Sequence, residues 1–101
     1  MEDIRTLFDR LYKLPFPSER GKEVLGVNLI IIDSNTMGLA TCFLGSNGQL
    51  TTDQIKMLNT CYTDLNKIIA QVDKHEKEYY ATLRQLAKEM LESTSGKNIR
   101  Q

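Results

Sequence analysis

Tryptophan is absent from this chain, histidine occurs once, and cysteine and proline occur twice each. Each scarcity narrows the chemistry. One histidine, His75, cannot supply the paired imidazoles of a common zinc site, and no HExxH pattern is present. It reads as an exposed residue with no assigned task. Cys42 and Cys61 each lie inside a largely apolar stretch without secretory context, so they read as buried thiols rather than a disulfide or a redox pair. No catalytic residue, cofactor or metal is expected.

Excess charge of either sign is missing too. Lysine plus arginine and aspartate plus glutamate both total 13. Split at residue 50, the first half holds 5 basic and 6 acidic residues and the second 8 and 7. Neither half offers the basic field that phosphate backbones require, which argues against nucleic-acid binding. The densest apolar run, Val24 to Ile32, is far too short to span a bilayer, and "MEDIRTLFDR" lacks an apolar signal core. A cytoplasmic protein with no membrane association is expected. "GSNG" at 45–48 precedes a helix, but no Lys-Ser/Thr follows as in a phosphate-binding loop.

What is present is helical periodicity. Ile4, Leu7, Phe8 and Leu11 form one apolar face, which Pro15 and Pro17 bring to an end. Thr51 and Gln54 spell a capping box, flanked by a Leu50/Ile55 hydrophobic staple. Ile55, Leu58, Tyr62, Leu65, Ile69 and Val72 then form a seam, continued in register by Glu76, Tyr79, Leu83, Leu86 and Met90. Only Glu76 is out of character. The seam fits either one long helix pairing with another chain or a helical hairpin bending near Asp73. The polar run "DKHEKE", with Asp73 and Glu76 placed as N-cap and third helical residue, favours the hairpin, although no glycine or proline marks the bend.

The stretch Val27 to Gly45 poses the main question. Its β-branched residues favour a β-hairpin turning at Asp33–Thr36. A lone two-stranded sheet is marginal in water, however, and three amphipathic helices need a fourth apolar element. Asn28 suits an N-cap and Gly45 a C′ position. The reading is therefore an all-α, compact four-helix bundle with a buried central helix. Its helices lie near residues 3–14, 28–44, 51–72 and 74–92, forming a single domain over 1–93 with a flexible tail over 94–101. The alternative is an α+β fold with a hairpin at about 25–44 packed on three helices.

Three function classes follow. The first is a non-enzymatic module that binds another protein, such as an immunity protein or an inhibitor of a toxin or effector. Tyr12, Phe16 and Arg20 are the expected contact residues, because tyrosine and arginine anchor interfaces well. The second is a homo-oligomeric binder of a small polar ligand, with Asp33, Asn35 and Thr36 lining a polar pocket. In the absence of a ligand, Asp33 would be satisfied by Tyr12, Tyr62 or a lysine from another helix. The third, an enzyme using Cys42 or Cys61, is disfavoured. The seam running through Asp73 and the apolar density at Ile30–Ile32 point to a homodimer.

Overall fold

The computed structural model describes residues 3–99, with side chains described from Asp3 to Thr94. Helix α1 (Ile4–Lys13) starts where the Asp3 carboxylate accepts the Thr6 N–H at 2.8 Å, and it buries Leu7 and Leu11. A small antiparallel pair follows, β1 (Glu23–Val24) and β2 (Val27–Asn28), joined through Leu25 and Gly26 at φ 51° and 81°. Two successive left-handed residues make the tight turn that matches the twist of such a ribbon. Helix α2 (Leu29–Gly45), α3 (Thr52–Ile68) and α4 (Lys74–Ile99) complete the bundle. The all-α four-helix reading holds, and residues 28–44 do not form the alternative hairpin.

Local chemistry accounts for the ends. Asn28 caps α2, its side-chain oxygen accepting from Ile30 and Ile31 N–H at 3.1 and 3.2 Å. Gly45 is not the C′ residue; it is the last helical one. Asn47, at φ 55°, takes the left-handed position, and Gly48 N–H reaches back to the Phe43 carbonyl at 2.8 Å. The Thr51–Gln54 capping box is present in both directions.

Helix α3 stops at Ile68, and tight turns back to the Ile68 carbonyl carry the chain to Asp73. The seam is therefore folded on itself, α3 against α4, within one chain. Its buried members in α3 and the turn are Leu58, Cys61, Leu65, Ile68 and Val72, with Tyr62 and Ile69 half-buried beside them. In α4 the seam is Glu76, Tyr79, Tyr80, Leu83, Leu86, Ala87 and Met90, all buried. The backbone of α4 extends past residue 92 to Ile99, and Thr94 is buried. The rest of the tail expected over 94–101 falls on side chains outside those described.

Helix α2 buries one face rather than its whole circumference. Leu29, Ile32, Thr36, Leu39, Ala40 and Phe43 point into the core, while Ile31, Asn35, Gly38, Thr41 and Cys42 face outward. Both α2 and α4 touch every other helix. Among the described residues no helix is long and apolar enough to cross a membrane.

Candidate functional site

The segment between α1 and β1, residues 14–22, forms a ridge fastened to the start of α4. The fastening centres on Glu76, the one polar member of the α4 stripe. Its Oε1 accepts from Lys22 Nζ at 2.8 Å and from the Asp73 N–H at 3.0 Å, and its Oε2 accepts from the Ser18 hydroxyl. Since the Ser18 proton is committed to Glu76, the Tyr80 hydroxyl, 2.7 Å away, donates to Ser18 Oγ. Lys22 also reaches Asp73 Oδ2 at 2.9 Å. A carboxylate whose side chain is only 1 % exposed thus has three donors, one of them the Lys22 cation.

The titration behaviour follows the geometry. Burial pushes the Glu76 carboxyl up, but its bonds from Lys22, Ser18 and the Asp73 N–H outweigh that and hold it below its ordinary value. Hydrogen bonds to Glu76 and Asp73 raise the Lys22 ammonium. Burial raises the Tyr80 hydroxyl to about 12. The Ser18 hydroxyl is held between the Glu76 carboxylate and the Tyr80 hydroxyl. The cluster is a latch.

The segment that the latch holds also contributes, through Leu14 and Phe16, to the walls of a groove of about 430 Å³. Leu11 and Tyr12 from α1, Leu14 and Phe16 from the ridge, Asp33, Ser34 and Met37 from α2, and Tyr79 from α4 line it. Tyr12 is 76 % exposed and stacks on Phe8 at 6.0 Å between ring centres. Phe16 meets Tyr79 edge-on at 6.0 Å. Tyr79 donates its hydroxyl to Asp33 Oδ1 at 2.6 Å. Burial raises the Asp33 carboxyl, an effect only partly offset by Tyr79, and the Tyr79 hydroxyl is likewise raised by burial and by Asp33. Two smaller hollows, of about 240 and 350 Å³, lie along the ridge at Pro17 and His75.

Of the residues singled out in the sequence, Tyr12, Phe16 and Asp33 meet in this one groove. Arg20 is exposed and does not line it; Asn35 is exposed on α2. Thr36 is fully buried, donating to the Ile32 carbonyl at 2.8 Å. Asp33, Asn35 and Thr36 do not converge: Asn35, two positions from Asp33 and next to Thr36, faces away from both, and the Thr36 hydroxyl is turned into the core onto the Ile32 carbonyl. The partner of Asp33 is Tyr79, rather than Tyr12, Tyr62 or a lysine.

The thiols differ from the expectation that both are buried. Cys61 is buried, with a thiol that burial raises, whereas Cys42 is exposed. Among the described residues, no group of three or more histidine, cysteine, aspartate or glutamate side chains is placed to hold a metal ion.

The sequence reading missed Met37, Tyr79 and the latch residues Ser18 and Lys22. The signal for the latch was Glu76 itself: a carboxylate in register with a buried stripe requires partners from elsewhere. No family model matches the chain, and no curated protein or solved structure matches it.

Proposed function

We propose that this protein is a small, non-enzymatic interaction module that docks another protein in the groove between α1, the 14–17 ridge and α2. The observation that carries this reading is the gathering of exposed apolar and aromatic surface at one place. Tyr12 at 76 % and Leu14 at 42 % exposure are two of five exposed large apolar side chains among the described residues, and both line the groove. Tyrosine and phenylalanine side chains with few rotatable bonds lose little entropy on contact and are common binding anchors. The latch adds rigidity, since Ser18 and Lys22 tie the ridge to α4 and leave less ordering to be done when a partner arrives. An inhibitor of a toxin or effector is the narrower form of this reading, resting on size and neutral charge alone.

Peptides selected from a displayed random library on the purified protein test the proposal. Selected peptides should lose at least tenfold in affinity for Tyr12→Ala and Phe16→Ala variants whose melting temperatures are close to that of the parent. A selection that enriches nothing, or peptides indifferent to both changes, would refute it.

A further inference from the structure

Helix α2 carries a single charged residue in its 17 positions, Asp33, and places it in the groove. That placement is costly for a carboxylate. Asp33 is half-buried, and no cation stands against it among the described residues. One oxygen, Oδ1, is occupied by the Tyr79 hydroxyl. The other, Oδ2, accepts no hydrogen bond within the described structure, and no buried side-chain oxygen there lacks a partner. Oδ2 is therefore open to an incoming group. Three aromatic side chains, Tyr12, Phe16 and Tyr79, line the same groove, and none of its lining residues is basic.

A carboxylate with one open oxygen, surrounded by aromatic rings, complements a cation that can also lie flat on those rings. We propose that the groove receives an arginine side chain of the partner protein, its guanidinium bonded to Asp33 Oδ2 and packed against the aromatic walls. This rests on the docking function proposed above and names the residue that anchors it. Arginine fits better than lysine for two reasons. Its guanidinium is planar and weakly hydrated, so it loses less on entering a half-buried site and stacks on an aromatic face. An ammonium is a compact, strongly hydrated point charge and would surrender more water for one open oxygen. The raised Asp33 carboxyl agrees with this, because an arriving cation would relieve the unfavourable burial of the charge.

The test uses backbone-amide NMR titrations of the whole protein with N-acetyl-arginine amide, N-acetyl-citrulline amide and N-acetyl-lysine amide. Citrulline keeps the shape of arginine and removes its charge. The arginine probe should shift the amides of Asp33, Met37 and Tyr79 saturably, and the citrulline and lysine probes should bind at least fivefold more weakly. Asp33→Asn preserves shape and can still accept from Tyr79, so it should remain folded and lose at least tenfold of the arginine affinity. No saturable shift, equal binding of citrulline or lysine, or full affinity in Asp33→Asn would each overturn the assignment. If Asp33→Asn fails to fold, the three probes on the parent protein still decide. The displayed-peptide selection separates the two proposals. Peptides that depend on Tyr12 and Phe16 but lack arginine, or bind Asp33→Asn equally, refute the arginine anchor and leave the docking function standing.

Discussion

Replacing Glu76 tests the latch directly. Glu76→Ala removes the acceptor from the Asp73 N–H, the Ser18 hydroxyl and Lys22 at once. The losses are unequal. Lys22 keeps Asp73 at 2.9 Å and is 28 % exposed, so its charge is not stranded. Ser18 keeps Tyr80. The Asp73 N–H loses the partner that ends the turn and starts α4. One lost charged hydrogen bond, one weakened cap and the space left by a buried side chain come to about 2–4 kcal/mol. In a chain of this length that is a fall in melting temperature of roughly 10–25 °C. Glu76→Gln keeps the shape and one acceptor oxygen, and should cost about 1–2 kcal/mol at neutral pH.

The two forms should also differ in pH dependence. The folded Glu76 carboxyl lies below its ordinary value of 4.5, so the unfolded chain takes up the proton first as pH falls. The stability it contributes is complete above the unfolded value and drains away as pH drops through the folded one. Glutamine has no such titration. Denaturant titrations of parent and Glu76→Gln should therefore converge on acidification below the ordinary carboxylate range. A gap that stays constant with pH, or a Glu76→Ala variant as stable as the parent at pH 7, would refute the latch.

Asp33→Asn should be as stable as the parent at pH 7 or more so. A carboxyl raised in the folded state loses stability as pH climbs through that raised value, and asparagine removes the loss; a clear drop in melting temperature would contradict this. Leu65→Ala, mid-seam and 0 % exposed, should cost about 2–5 kcal/mol in urea titration, and a cost near zero would mean the α3–α4 seam is not packed. Leu25→Asn should raise stability by about 0.5–1 kcal/mol, because Leu25 is half-exposed at φ 51° and asparagine tolerates that region far better; thermal melts that show a loss would mean the leucine has a packing role. In the native protein Cys42 should react with a thiol reagent at neutral pH and Cys61 should not, read by mass after proteolysis.

Elements governed by neighbours in the chain were legible in the sequence. The Thr51–Gln54 box, the Asn28 cap and the Pro15 stop are local, and each falls where its residues specify. The bend at Asp73 was legible only in half. Asp73 and Glu76 announce a helix start, but the lysine and serine that stabilise it are 51 and 58 residues away. The same distance hid the site. Tyr12, Phe16 and Asp33 were visible as polar or aromatic residues without an evident core role, but that they share one groove depends on Tyr79, 46 residues beyond Asp33. Helix α2 was harder still, because its apolar residues have no periodic direction to show which side faces the core. Cys61 replaced Tyr62 on the buried line of α3 because a stripe spaced by threes and fours admits two adjacent registers.

Helix α1 packs chiefly against α4, and both the groove and the latch need side chains that α4 carries. During synthesis the ribosome must therefore add about 60 residues after α1 before its partner helix begins, which at bacterial-to-eukaryotic speeds takes roughly 3–12 s. Through that interval α1 has only its smaller contact with α2 to cover it, and the 14–22 segment lacks the α4 residues that fasten it. The groove is thus among the last parts of the molecule to mature, and a truncated translation product that carries every α1, ridge and α2 residue of it would still lack its Tyr79 wall.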